Sequence, residues 1–194
     1  MDPLLIEVPE RIETERLLLR RAQPGDGPAV CAAVRASLEE LRPWMPWAQA
    51  ETSEDVSETH VRRMCANFSL RLDLAYFTFD RALDSGEAGV VGAIGLHRID
   101  WTVPRFEIGY WRRSGLAGRG FVSEAVRALS RMAFDRLSAQ RVEIRMDDRN
   151  AASARVAERA GFTFEGLLRR DALAVDGAPR NTRVYSRVRG IEEP

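Results

Sequence analysis

Apolar positions recur along this chain with two spacings, every second residue and every third or fourth, and the switches between them divide it into elements. "TERLLLR" (14–20) predicts a short strand. From Pro24, "PGDGPAVCAAVRASLEEL" predicts a helix with Asp26 near its start and apolar Val30, Ala33 and Val34. "RPWMPWAQAETS" follows, and its prolines at 43 and 46 exclude a helix interior, which puts Trp44 and Trp47 on a loop. A second helix is expected from about Ser53 to about Leu72. "LAYFTFD" (74–80) and "AGVVGAIGLHRID" (88–100) predict two strands, with "DSGE" as a hairpin connection.

The second half is sharper. "RFEIGYW" (105–111) predicts a strand. "SEAVRALSRMAFDRL" (123–137) predicts a helix whose apolar stripe runs through Val122, Val126, Leu129, Met132, Ala133 and Leu137. "RVEIRMD" (141–147) alternates strictly, with Val142, Ile144 and Met146 on one face. "NAASARVAERAGF" (150–162) reads as a short helix closed by Gly161. "FTFEGLLRRD" (162–171) and "NTRVYSRV" (181–188) are the last strands, joined through a "DGAP" turn (176–179). No repeat, low-complexity stretch or linker interrupts the series. The expectation is one mixed α/β domain over residues 1–194: a mostly antiparallel sheet, helices on both faces, and one βαβαβ stretch from 105 to about 170.

Composition narrows the class. The chain has 194 residues, enough for a substantial core, and its 29 basic and 29 acidic residues balance. That balance leaves no electrostatic footprint for nucleic acid or an anionic membrane. Cys31 and Cys65 sit in helix-like sequence without metal-ligand neighbours, so reduced thiols and no metal are expected. The acidic N-terminus does not read as a secretory signal, and no apolar run approaches the ~20 residues of a membrane span. A cytoplasmic protein is expected.

The junction "GLAGRGFVSE" (115–124) carries three glycines and an arginine between a strand and a helix. A glycine turn feeding a helix N-terminus exposes backbone N–H groups to an anion, and the helix dipole favours negative charge there. An ordinary tight βα turn is the alternative. Phe121-Val122 after Gly120 lacks the Lys-Ser or Lys-Thr of a nucleotide-triphosphatase loop, and the run fits a dinucleotide fingerprint poorly.

"FEIGYWRRSGLAGRGFVSEA", followed one strand later by "RNAASARVAERAGF", resembles the GCN5-related N-acetyltransferases (GNAT), within them the RimJ/RimL-like branch. "TERLLLR" and "LRPWMPWA" extend the resemblance over most of the chain. It implies a twisted mixed sheet of about seven strands, helices on both faces, and an acyl-CoA held in a V-shaped opening between central parallel strands. It also implies direct transfer of acetyl from acetyl-CoA, or of another acyl group, to an amine. The family's pyrophosphate loop falls on Ala117, Gly118, Arg119, Gly120, Phe121 and Val122. Gly120 matches fully, Ala117 replaces a polar residue and Val122 a small one. Ser123 is a further donor or a helix cap. Tyr110, Trp111 and Arg112 match the strand that pairs with the pantetheine arm, and Asn150 matches the asparagine that bonds it, or is a plain N-cap. Arg112, Arg113 and Arg119 are candidates for the phosphates.

Acetyl transfer needs a neutral amine, an oxyanion donor and help for the leaving thiolate. Glu107, opposite in facing to Phe106 and Ile108, is the first candidate base, with a structural ion pair as its alternative. His97 is the second, or a core or rim residue. The oxyanion donor is expected from a backbone N–H at a bulge near Gly109-Tyr110. By resemblance to an "NxxS" pattern, Ser153 is the general acid, or a small polar residue bonded back into its helix. Trp44 and Trp47 wall the acceptor pocket or cover the core edge, with "DGAP" as the other rim. The expected acceptor is a protein N-terminus. Alternatives are a small amine (polyamine, aminoglycoside or other antibiotic) and a catalytically silent acyl-CoA-binding module. A homodimer follows from the resemblance, since relatives often dimerise.

Overall fold

The computed structural model describes residues 2–83 and 89–193. The "DSGE" connection lies outside the described residues. The strands are β1 (Arg11–Glu13), β2 (Leu17–Arg21), β3 (Leu74–Asp80), β4 (Val90–Asp100), β5 (Arg105–Arg112), β6 (Arg141–Asp147), β7 (Thr163–Leu173) and β8 (Pro179–Val188). They form one sheet of eight strands in the order β1-β2-β3-β4-β5-β6-β8-β7. The strand beyond the expected seven is β1, three residues long and too short for a period of two to register. Among the described strands, β5 and β6 alone pair in parallel. β8 lies between β6 and β7, so the last strand of the expected βαβαβ stretch is not a direct neighbour of β6.

The helices are α1 (Gly27–Arg35), α2 (Leu38–Leu41), α3 (Glu54–Ser69), α4 (Phe121–Arg136) and α5 (Ala151–Arg159). The single helix expected from Pro24 breaks into α1 and α2. At the break, the Ser37 hydroxyl donates to the Ala33 carbonyl (2.7 Å) and accepts the Ser114 N–H (2.9 Å), tying the bend to the end of β5. α3 is capped by Ser53, whose hydroxyl accepts the Val56 N–H at 3.2 Å. It ends before the expected Leu72, where Arg71 turns left-handed at φ 59°.

The period-two pattern sorts the sheet's side chains onto two cores. On one face Tyr76, Leu96, Phe106, Ile108 and Ile144 meet Val126 and Leu129 of α4. On the other, Ala75, Phe77 and Phe79 meet Val30, Val34 and Val61 of α1 and α3, with Ala93 and Trp111 packed alongside. Each large apolar side chain so buried contributes about 1.5–3 kcal/mol.

Between these layers the sheet opens. β5 pairs with β6 only at Arg105↔Arg141, Phe106↔Val142 and Glu107↔Glu143, although both strands continue. On its other side β5 stays paired with β4 as far as Arg112. The Arg113 N–H bonds the Val91 carbonyl at 2.6 Å, so odd-numbered residues of β5 turn their backbone groups toward β4. Ile108, Tyr110 and Arg112 therefore turn theirs toward the opening.

Candidate active site

The glycine turn ends at α4. Gly118 and Gly120 have φ of 76° and 77°, the left-handed region where glycine carries no Cβ penalty. Gly120 is the N-cap of α4 and offers no side-chain cap, which leaves the helix's first amides for a ligand. α4 starts at Phe121, so Ser123 is buried inside the first turn instead of capping it. Ala117, Gly118 and Arg119 are exposed. Phe121 and Val122 join Gly92, Ile94, Tyr110 and Trp111 in lining a small groove between β4, β5 and the start of α4.

The "TERLLLR" segment fastens this turn. The Glu124 carboxylate accepts from the Thr14 hydroxyl (2.6 Å), the Arg16 N–H (3.1 Å) and the Arg16 guanidinium (2.8 and 2.5 Å). Burial pushes the Glu124 carboxyl up, but these donors outweigh it and hold it below the usual carboxylate range. Arg16 also donates to the Arg119 carbonyl at 2.9 Å, and its guanidinium lies 4.9 Å from the Phe121 ring centroid. Arg119 sits 5.9 Å from the same ring. Arg112 is engaged elsewhere, with Glu40 at 2.7 Å, so its side chain is not free for a phosphate.

On the α4–α5 face, the Tyr110 hydroxyl is 2.8 Å from the Ser153 hydroxyl. Burial pushes the Tyr110 phenol up to about 12, so near neutral pH it holds its proton. Asn150 caps α5, its side chain accepting the Ser153 N–H at 3.0 Å. On the opposite face stand Glu107 and His97, cross-strand partners in register. Burial raises the Glu107 carboxyl despite Arg98, whose Nε is 3.7 Å away. Its Oε2 is buried with no hydrogen-bond partner among the described residues. His97 Nδ1 lies 2.6 Å from Asp73 Oδ2. Trp47 is edge-on to Trp111 at 6.1 Å between centroids, while Trp44, 37% exposed, lies earlier in the same segment. In the "DGAP" turn, Asp176 accepts the Ala178 N–H at 3.0 Å.

The expected bulge is absent. The β4–β5 register runs unbroken from Gly92↔Arg112 to His97↔Glu107, and its irregularity falls beyond His97, where Arg98 has φ 47°. The backbone N–H of Tyr110 is released by the parting of β5 from β6 instead.

A family model described as "Acetyltransferase (GNAT) domain" matches residues 16–163. The chain belongs to the GNAT acetyltransferase family. It is 30% identical over 177 residues to YdaF of Bacillus subtilis (strain 168), covering 89% of this chain and 91% of that one; the ribosomal N-acetyltransferase role assigned to YdaF is itself provisional. It is 31% identical to the ribosomal-protein-serine acetyltransferase of Escherichia coli (strain K12) over 102 residues, 53% of this chain and 56% of that one. Among solved structures, RimL, the ribosomal L7/L12 α-N-protein acetyltransferase in complex with coenzyme A, superposes with a TM-score of 0.83 at 25% identity, over 92% of this chain and 98% of that one. The fold is that of the GNAT enzymes, and the chain is an N-acetyltransferase.

Four contributors lie outside what the sequence pattern singles out. Asp73 stands directly before β3, and only the pairing of β3 with β4 sets it beside His97. Thr14 and Arg16 belong to the "TERLLLR" segment, but their partner Glu124 is distant in sequence. The sequence pattern points to the backbone of Tyr110, and only the packing of α5 shows its hydroxyl against Ser153.

Proposed function

We propose that the chain works as a single catalytic domain that moves acetyl from acetyl-CoA directly to a protein N-terminal α-amine. The observation that carries this reading is the opening beyond Glu107, flanked by the Tyr110–Ser153 pair on one face and by Glu107 on the other. Acetyl-CoA supplies an activated thioester. The amides of residues 117–123 take its pyrophosphate, and the free edge of Tyr110 and Arg112 pairs with the pantetheine as an added strand. The Tyr110 N–H then serves the carbonyl oxygen as its charge develops.

The acceptor comes from the α1–α3 face, past Trp47 and Trp111. Glu107 takes the ammonium proton, a role suited to a carboxylate whose proton affinity burial raises and whose Oε2 has no hydrogen-bond partner among the described residues. As the carbon–nitrogen bond forms and the carbon–sulfur bond breaks, the nitrogen sheds its second proton through Glu107, which has passed the first to solvent; Ser153 gives its proton to the departing sulfur and takes one from Tyr110, which solvent reprotonates once the products leave. The preference for an α-amine follows from proton affinity: freeing a lysine amine at neutral pH costs about 3 kcal/mol more. The roles named for YdaF and RimL point to the same acceptor class. The reading involves no nucleic acid or lipid. Calorimetry with acetyl-CoA, followed by thiol release across N-terminal peptides, polyamines and aminoglycosides, tests it. Binding with release only for peptides is expected; release only for small amines would move the acceptor, and binding without release would leave a silent acyl-CoA module.

A further inference from the structure

The chain has two histidines, and both lie within electrostatic reach of Asp73. Asp73 immediately precedes β3, and the Leu74↔Leu96 register brings it beside His97. An ionised carboxylate only accepts hydrogen bonds, so at 2.6 Å the proton between the two belongs to His97 Nδ1. In the neutral ring this leaves the lone pair on Nε2. The ring is seated on two glycines that face each other, Gly95 and Gly109. A Cβ at Gly109 would come within 2.8 Å of His97 Cδ2 and 3.1 Å of Nε2; one at Gly95 would come within 2.9 Å of both Cε1 and Nε2. Gly109 lies beyond Glu107, the last β5 residue to pair with β6. The imidazole thus stands at the mouth of the opening. Of the other charged groups nearby, Glu107 of β5 interacts with His97 directly; Arg98 of β4 and Glu143 and Arg145 of β6 act on Glu107, and His60 of α3, itself near Arg63, lies within reach of Asp73.

We propose that Asp73 is a positioning residue: it holds His97 as the Nδ1–H tautomer, so that Nε2 accepts one N–H of the acceptor amine and turns the nitrogen lone pair toward the thioester. Glu107, having passed the ammonium proton to solvent, takes the amine's other proton as the amide forms, and His97 forms a hydrogen bond without changing its own protonation. Such a site wants a primary amine, which brings at least two N–H groups. What Nε2 contacts rests on the transferase reading above; the tautomer does not.

The test joins imidazole nitrogen NMR of the full chain, at a pH where the ring is neutral, with the kinetics of Asp73→Asn, His97→Gln and the double variant. Wild type should show the proton on Nδ1, and Asp73→Asn should lose that single tautomer. Each single variant should lower kcat about tenfold or more while leaving the KM for acetyl-CoA within about twofold. The double variant should be no slower than His97→Gln, because Asp73 acts through His97. Wild type with the proton on Nε2, full kcat in His97→Gln, or losses that multiply in the double variant would each overturn the proposal. If Asp73→Asn does not fold, the wild-type tautomer and His97→Gln still decide it. A wild type that transfers acetyl to no amine would sink the functional reading, whereas the wrong tautomer in an active enzyme would sink this inference alone.

Discussion

Removing the Tyr110 hydroxyl probes the leaving-group side of the site. In Tyr110→Phe the ring stays and the 2.8 Å contact with Ser153 is lost. One buried hydrogen bond contributes about 1 kcal/mol net, which for a chain of this length lowers Tm by about 2–4 °C. The folded enzyme should still bind acetyl-CoA, because the backbone of β5 is untouched. The kinetic loss should be larger than the stability loss suggests. Ser153→Ala removes the donor and should reduce kcat by about 10², close to 2.7 kcal/mol of barrier and at the low end of general acid effects. Tyr110→Phe leaves Ser153 as donor but without its supply, and about tenfold is expected. The double variant should match Ser153→Ala, since one relay is broken once. The assay is continuous thiol release at saturating acceptor, with single-turnover runs to confirm that chemistry limits the rate. A Tyr110→Phe enzyme with kcat within twofold of wild type, or a double variant whose losses multiply, would refute the relay.

Other variants test the remaining parts. Burial raises the folded-state pKa of Glu107, so the carboxylate costs stability that the protein keeps at low pH and loses as pH rises through that pKa; Glu107→Gln should raise Tm at neutral pH and lower kcat by about 10²–10⁴. A Tm scan against pH that keeps the wild-type slope in the variant would contradict the burial effect. Gly120→Val places a side chain at φ 77° on the uncapped end of α4, and calorimetry should show acetyl-CoA binding weakened by at least about tenfold. Arg16→Ala should raise the KM for acetyl-CoA with kcat nearly intact, because the turn loses its hold on Glu124 and Arg119; an unchanged KM would show that the turn keeps its shape unaided. Trp47→Ala should raise the acceptor KM by up to about tenfold and leave that of acetyl-CoA alone, as expected for an edge-on contact with Trp111.

Much of this architecture was readable from period and punctuation. The strands at 74–80 and 141–147 match β3 and β6 residue for residue: a short run rich in aromatic and apolar residues marks the first, and strict alternation marks the second. Gly161 closes α5 at φ 82°, as a left-handed terminator should. The break between α1 and α2 was not readable, because it depends on the Ser114 N–H reaching Ser37 from far along the chain. The same limit hid the site's partners. Periodicity places Glu107 and His97 on strands, but the register that makes them neighbours is a tertiary fact. Asp73 is conspicuous only once β3 is paired with β4, and the bulge expected at Gly109 gave way to a regular ladder with glycines seating an imidazole.

The most direct test of the account uses a peptide carrying both a free N-terminus and an internal lysine, incubated with the enzyme and acetyl-CoA and read by fragment mass spectrometry. The account predicts one acetyl group per peptide, on the α-nitrogen, with an equal amount of free thiol and loss of both signals in Glu107→Gln. Acetyl on the lysine alone, or thiol released without acetylated peptide, would contradict it.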